Sequence, residues 1–458
     1  MPELTLQQAR DLAEQHMRAG RVVEAESIWR QMLTYVPNDE ATLAKLSQLR
    51  FQTGAFDEAI QFMQRAAKLR PNDAGYQSNL GVIFSTLGRF GAAISYFESA
   101  IRLQPNLAEA RNNLGNALRE TGRYAEAESQ FQAALSLRPE YPDAEWNLAF
   151  VLLARGNFAA GLPAYEARLK MRGMPNRAFP QPMWDGSPLA GRTILLHAEQ
   201  GIGDTFNFIR YAPLVAAAGG RVLALVQPTV HRLMKWQSLG VEKWLADGDA
   251  LPTFDVHCPL LSLPKLLGTT MQTIPPQSPP LQVDPQLAAV WKQKLANDTS
   301  KLKVGLVWAG NQFPPHNRKR STILETLLPL ANTPHVSFYS LQKGAAPPSP
   351  GTADAMRLID FTSSLNDFAD TAAMIDALDL VITIDTGVAH LAGAMGKPTW
   401  TLLPSVPDWR YFLDRSDSPW YPSMRLFRQP TAGDWATPIA QIVAELRYLV
   451  GASHLQPV

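Results

Sequence analysis

Apolar and polar positions in the first 170 residues recur with helical spacing, and the pattern itself repeats. Leu12, Leu46, Leu80, Leu114 and Leu148 stand 34 residues apart, as do Gly20, Gly54, Gly88, Gly122 and Gly156, and Pro37, Pro71, Pro105 and Pro139. A small residue follows each leucine (Ala13, Ser47, Gly81, Gly115, Ala149), and Ala25, Ala59, Ala93 and Ala127 keep the same phase. This predicts paired antiparallel helices, four full repeats and a degraded fifth ending near Gly173. No single pair can bury its own apolar face, so neighbours must stack into a curved solenoid with a groove.

Past that point the pattern changes. Residues 174–191 are proline-rich and aperiodic, which predicts a linker, with Trp184 pinning it to a neighbouring unit. Short apolar runs at 192–198, 221–226 and 254–261 then read as strands, with helical patterns at 206–220, 230–236 and 283–297. Further strands are predicted at 303–310, 336–341, 356–361, 378–385 and 398–404, and an amphipathic helix at 437–450. The expected organisation is a helical array over 1–173, a linker over 174–191, and doubly wound units over 192–298 and 299–458. The final helix is positioned to cross back to the first unit.

Composition narrows the function. A net charge of +1 in 458 residues gives no reason to expect nucleic acid as a partner. One cysteine, Cys258, rules out a disulfide framework and a thiolate zinc cluster, and suits a reducing compartment. The first residues lack a signal-peptide core, and no apolar run is long enough to span a bilayer. A cytoplasmic protein without a membrane span is expected; nothing in the sequence sets an oligomeric state.

The chemistry concentrates where strands end. Leu380 to Ile384 form a run suited to a strand covered on both faces, and Asp385, Thr386 and Gly387 follow at its carboxyl end. Backbone N–H groups and the positive end of the helix dipole favour a phosphate there, and His390 lies one turn on. Asp385 as a plain N-cap and His390 as a packing residue is the competing account. Gly201-Ile-Gly203-Asp204 follows the 192–198 run and sets Asp204 at a helix start, as a base or as a cap. Arg318, Lys319 and Arg320 stand beside His316 in the 311–321 loop, able to hold a diphosphate in place of a metal or simply to be solvated. In the array, Asn79, Asn113 and Asn147 recur just before the core leucines, where an amide can grip a peptide backbone or only solvate the groove. The 392–398 glycines lack P-loop spacing, and Asp247-Gly-Asp249 reads as a turn, so no metal site is expected.

The 34-residue period resembles that of tetratricopeptide repeats. In arrays resembling that of O-linked N-acetylglucosamine transferase, a phased asparagine column clamps a polypeptide, which would assign acceptor binding to Asn79, Asn113 and Asn147. The remainder resembles the glycosyltransferase-9 heptosyltransferase group, through the GxGD-like 201–204, the D-S/T-G-x-x-H-like 385–390, and the 341–344 turn. It is closer still to bacterial tetratricopeptide proteins with a glycosyltransferase domain, which share the ending at 406–429. The resemblance implies a GT-B fold of two Rossmann-like units and an inverting, metal-independent transfer from a nucleotide-diphospho-sugar, with no further cofactor. It also implies roles: Asp204 as catalytic base, with Lys319 and His390 catalytic; Gly203, Arg318, Arg320, Gln342, Lys343, Asp385, Thr386 and Gly387 on the nucleotide sugar. Asp408, Trp409 and Arg410 would line the sugar pocket, unless Trp409 and Trp420 are structural. Heptosyltransferases lack the repeats, which favours a protein acceptor recruited by the array. A glycan or lipid acceptor, or a scaffold that has lost turnover, are the alternatives.

Overall fold

The computed structural model describes residues 4–171, 173, 177–310, 317–344 and 348–452. The chain divides into two compact units, Met1–Val151 and Leu152–Val458.

The first unit is the expected solenoid. Its helices are α1 Leu6–Arg18, α2 Val22–Tyr35, α3 Glu40–Gln52, α4 Phe56–Leu69, α5 Ala74–Thr86, α6 Phe90–Leu103, α7 Ala108–Glu120, α8 Tyr124–Leu137 and α9 Pro142–Ala154. Gly20, Gly54, Gly88 and Gly122 turn the chain between the helices of each pair at φ between +72° and +78°, a left-handed conformation that side chains with a Cβ disfavour. Close packing explains the phased small residues. A Cβ on Gly81 would lie 2.6 Å from the Phe97 ring, and one on Gly115 2.6 Å from Phe131. Trp29, Met63, Phe97 and Phe131, also 34 apart, form a buried column of large side chains.

The unit division falls inside α9, so the packing changes before the sequence repeat ends. The second helix of the fifth repeat, α10 Phe158–Tyr165, and a 3-10 turn over Glu166–Lys170 belong to the second unit. Next come β1 Thr193–His197, β2 Arg221–Val226, β3 Val241–Ala246 and β4 Val256–Pro259, a parallel sheet ordered β3-β2-β1-β4. The second parallel sheet holds β5 Leu302–Val307, β6 Val336–Ser340, β7 Leu358–Asp360, β8 Leu380–Ile384, β9 Thr399–Leu403 and β10 Met424–Arg428, ordered β10-β9-β8-β5-β6-β7. Each sheet reverses direction of growth beside its first strand, at β1/β4 and at β5/β8, which makes both doubly wound and opens a crevice at those strand ends. This is a helical array followed by two Rossmann-like units in series, the architecture expected.

Two details differ from expectation. Strands β3 and β10 were not anticipated. Both are edge strands carrying charge (Glu242 and Lys243; Arg425 and Arg428), so neither shows the unbroken apolar run of an interior parallel strand. The last helix, Ala436–Ala452, read in the sequence as able to cross back to the 192–298 unit, packs its apolar face on the second sheet. Ile439, Ile442 and Leu446 join Val304, Leu306, Trp400 and Phe427 in the core of the second sheet, and Arg425 pairs with Glu445 at 3.0 Å. Trp184 does pin the linker: its backbone N–H donates to His257 at 2.7 Å and its indole to the Ser187 carbonyl at 2.8 Å.

Candidate active site

At the β5/β8 crevice, every residue of β8 is buried, and the chain then enters the Gly387–Ala394 helix. Thr386, not Asp385, takes the N-cap position. Its hydroxyl makes no capping bond and lies 3.2 Å from that of Thr383. The helix start therefore keeps N–H groups that no cap side chain satisfies, the situation that suits an anion. Asp385 turns inward. It accepts from Tyr411 Oη at 2.9 Å and Arg320 Nη1 at 3.2 Å, with His390 Nε2 at 3.6 Å. Burial alone would raise its pKa, but the nearby His390 imidazole, the Arg320 charge and the Tyr411 hydroxyl outweigh it and hold the carboxyl well below the usual range. His390 Nδ1 lies 3.1 Å from Tyr421 Oη, which in turn accepts from Asn207 Nδ2 at 2.8 Å. That order is satisfied when Tyr421 donates to Nδ1 and the imidazole proton sits on Nε2, facing Asp385.

The β1 loop meets this network directly. A Cβ on Gly203 would stand 2.6 Å from the His390 ring, so only glycine fits, and the Gly203 amide is 3.7 Å from where a Cβ of Gly387 would be. Asp204, in the first turn of the Ile202–Phe208 helix, accepts from the Gly201 N–H at 2.9 Å. Its other oxygen accepts from Arg410 Nη2, while Arg410 Nη1 donates to Asp408 at 2.8 Å. The Arg410 guanidinium is buried over the Phe208 and Trp409 rings, 5.1 and 4.8 Å away. Burial disfavours its charge, yet Asp408 and Asp204 more than compensate and raise its pKa further. Trp409 and Trp420 are fully buried against each other, which makes them core residues rather than pocket walls.

Thus Gly203, Asp204, Arg320, Asp385, Thr386, Gly387 and His390 come together. The Gln342 and Lys343 side chains bond to the chain's own backbone. Gln342 Oε1 accepts from the Trp308 and Ala309 amides at 2.9 and 2.8 Å, joining the ends of β5 and β6. Lys343 Nζ donates to the carbonyls of Thr362 and Leu365. Partly buried loop carbonyls and amides near strand ends need partners, and these two side chains supply them. Lys319 is exposed; residues 311–316 and the Arg318 side chain lie outside the described residues. Asp247 and Asp249 sit in the turn after β3, where Asp249 accepts from the Ala246 N–H at 2.9 Å and Asp247 pairs with Arg177. In the array, Asn79 is exposed, Asn113 half-buried, and Asn147 donates to Asn112 Oδ1 at 3.0 Å.

Sequence reasoning missed Asn207, Tyr411 and Tyr421, whose roles depend on contacts between distant segments. It also missed a buried cluster at the β1/β4 crevice, where Arg168 pairs with Glu199 and donates to Ser262 Oγ at 2.7 Å. The phase of the repeat was the available signal: Tyr165, three residues before Arg168, continues the column of large residues at 34-residue spacing.

Comparison with known proteins agrees with this architecture. The first part of the chain carries tetratricopeptide repeats, and one segment of the second unit is similar to glycosyltransferase family 9. Tetratricopeptide-repeat profiles match residues 16–80, 79–145 and 114–172. The profile of glycosyltransferase family 9 (heptosyltransferase) matches residues 364–408, a segment holding β8, Asp385, His390 and β9. Protein FlbA of Caulobacter vibrioides is 26% identical over 308 residues, covering 60% of this chain and 49% of that protein. The chain thus spans about half the length of this curated relative. Among solved structures, MamA is similar at 20% identity over 37% of this chain and 95% of its own, with a TM-score of 0.33. A MamA fragment from Desulfovibrio magneticus RS-1 is similar at 21% identity over 35% and 90%, with a TM-score of 0.32. Among the described residues, no helix is long and apolar enough to cross a membrane.

Proposed function

We propose that the second unit is an inverting glycosyltransferase that uses a nucleoside-diphosphate sugar without a metal, and that the repeats recruit a polypeptide acceptor. The observation that carries this reading is the helix start at Thr386 and Gly387, lacking a side-chain cap, at the β5/β8 crevice, with Arg320 on one side and the Gly203-Asp204 loop on the other. A diphosphate would take the amides of the first helical turn and the Thr386 hydroxyl. Arg320, with Lys319 and Arg318, would absorb the charge gained as the glycosidic bond breaks. The acceptor oxygen attacks the anomeric carbon, the bond to the diphosphate breaks with its electron pair going to the leaving group, and the acceptor proton passes to Asp204. His390 and Tyr411 hold Asp385 in place behind the phosphate site. For Asp204 to act, Arg410 must release its carboxylate, and the incoming diphosphate is the competing anion.

One observation favours the alternative of a binding scaffold. Asp204 is ion-paired and the Gln342 and Lys343 side chains are spent on backbone, so three groups expected on substrate are engaged within the chain.

The deciding experiment measures nucleoside diphosphate release from a panel of nucleoside-diphosphate sugars in EDTA. Asp204→Asn should fold and bind donor while losing roughly a hundredfold or more in turnover, the range for a general base. On the same preparations, Asn79, Asn113 and Asn147 changed together to alanine should weaken use of a protein acceptor and leave donor hydrolysis unchanged. Absence of hydrolysis with every donor would favour the scaffold.

A further inference from the structure

The β1/β4 crevice of the first sheet is not empty: it holds a guanidinium from the chain's own repeat segment. Arg168 is 1% exposed and all five of its N–H groups have acceptors. Two reach Glu199, from Nη2 at 2.9 Å and Nε at 3.2 Å; one reaches Ser262 Oγ at 2.7 Å; the others reach the Tyr165 carbonyl at 3.2 Å and Glu166. Glu199 lies in the loop leaving β1 and Ser262 in the turn after β4, so one side chain joins the two loops that flank the crevice. Glu199 is also five residues before Asp204, in the loop that leads from β1 into the helix whose first turn holds Asp204. A planar fork fixed at every donor holds such a loop in one position, which a flexible ammonium cannot do.

The same segment reaches Asp204 by a second route. Phe158 packs against Trp409, Phe412 and Trp420 with ring centroids 6.2, 6.2 and 6.3 Å away, and Tyr165 meets Trp409 edge-on at 5.9 Å. Trp409 precedes Arg410, the partner of Asp204. The buried Tyr165 hydroxyl, pushed up to about 12 by burial, also feels the charges of Arg410 and Asp204. The 158–170 segment thus touches both the loop that leads to Asp204 and the turn that carries its counter-charge.

From these contacts we infer that Arg168 is a positioning residue for Asp204, through which the terminal repeat segment sets the geometry of the transfer site. This rests on the transferase reading for its catalytic meaning, and the loop contact itself can be tested without it. Arg168→Lys keeps the charge and loses the fork; Ser262→Ala removes one tie and leaves the Glu199 pair. Hydrogen exchange of the full-length protein should show the 198–206 segment exchanging several-fold faster in Arg168→Lys, less so in Ser262→Ala, with the 385–394 segment unchanged. In donor hydrolysis with the nucleoside-diphosphate-sugar panel, Arg168→Lys should lower kcat about tenfold with KM for donor retained, and shift the acid limb of the kcat pH profile; Ser262→Ala should follow in the same direction. Unchanged exchange at 198–206 overturns the positioning role outright. Faster exchange with unchanged kcat and pH profile, or a loss shared equally by kcat and donor affinity, overturns its catalytic meaning. Should the wild type hydrolyse no donor, the transferase reading fails and the catalytic meaning fails with it, whereas the exchange result still decides whether Arg168 holds the loop.

Discussion

The two parallel sheets of the second unit are built alike and finished differently. Each reverses strand order beside its first strand, and each presents a buried carboxylate at that crevice, Glu199 in the first and Asp385 in the second. In the first, Arg168 closes the crevice with a guanidinium whose donors are all used, and burial leaves the Glu199 carboxyl with a raised pKa despite that partner. In the second, Asp385 is held low by His390, Arg320 and Tyr411, while the helix start beside it keeps amides without a side-chain cap. One crevice is completed by the chain's own guanidinium; at the other the helix start keeps amides that no side chain caps. Topology alone therefore does not distinguish the two crevices; the balance of donors and acceptors left over at each does.

The largest effect expected from this contrast follows removal of the second carboxylate. Asp385→Ala would leave Arg320, Tyr411 and His390 facing one another without their shared acceptor. Breaking such a buried set costs about 3 kcal/mol, somewhat less here because Arg320 is 30% exposed and can be partly solvated. Urea unfolding of the full chain should show the second unit's midpoint falling accordingly. A change below about 0.5 kcal/mol, the range for ordinary surface positions, would mean that Asp385 is not the hub the geometry suggests.

Acid should distinguish the two sheets as well. His197, the last residue of β1, and His257 of β4 face each other beneath the first crevice with Nε2 and Nδ1 3.1 Å apart. Burial first, and His257 second, push the His197 pKa down to about 3. The folded state then takes no proton there while the unfolded chain takes one below pH about 6.5. The stability is complete above that value and is lost as the pH falls from about 6.5 to about 3, by at most about 1.4 kcal/mol per pH unit. Asp385 has the same sign in a more acid window. Its depressed pKa contributes stability that is present above the ordinary carboxylate range and lost only as the pH falls through the depressed value. Comparing urea midpoints at pH 7 and 4.5, His197→Gln should reduce the acid loss relative to wild type. Equal losses would show that the imidazole is protonated in the folded protein.

Much of this was legible in the residues and part was not. The 34-residue phase reported the array because the same close contact, such as Phe97 on Gly81 and Phe131 on Gly115, recurs in consecutive repeats. Interior strands were legible as apolar runs; β3 and β10 were hidden by the charges that protect sheet edges. The 385–390 and 201–204 loops were legible because a strand that stops at an Asp or Gly and starts a helix has a local signature. Gln342 and Lys343 show the limit of that logic, since resemblance located the loop and the backbone's need for partners decided where the side chains went. Arg168 and Tyr421 had no local signature at all. Their partners Glu199 and Asn207 are 31 and 214 residues away in sequence, and only the fold brings them together.

The smallest effect tests the open crevice most specifically. Thr386 occupies the N-cap position, yet its hydroxyl caps nothing and bonds only weakly to Thr383 at 3.2 Å. Thr386→Val keeps the β-branched shape and forfeits no capping bond, so the usual penalty for losing a cap does not apply and the melting temperature should hardly move. If the crevice is kept for a diphosphate, the hydroxyl is one of its donors, and its loss should cost about 0.5–1.5 kcal/mol of binding, roughly two- to thirteenfold in affinity. Inorganic pyrophosphate is the probe, titrated calorimetrically into the wild type and the variant at low salt. The comparison between crevices predicts binding in the wild type, weakening in Thr386→Val, and no weakening in Ser262→Ala, whose hydroxyl belongs to the crevice that Arg168 already fills. Equal affinity in all three would mean that pyrophosphate does not read the difference between the two sheets, and that the helix start at Gly387 is satisfied by water.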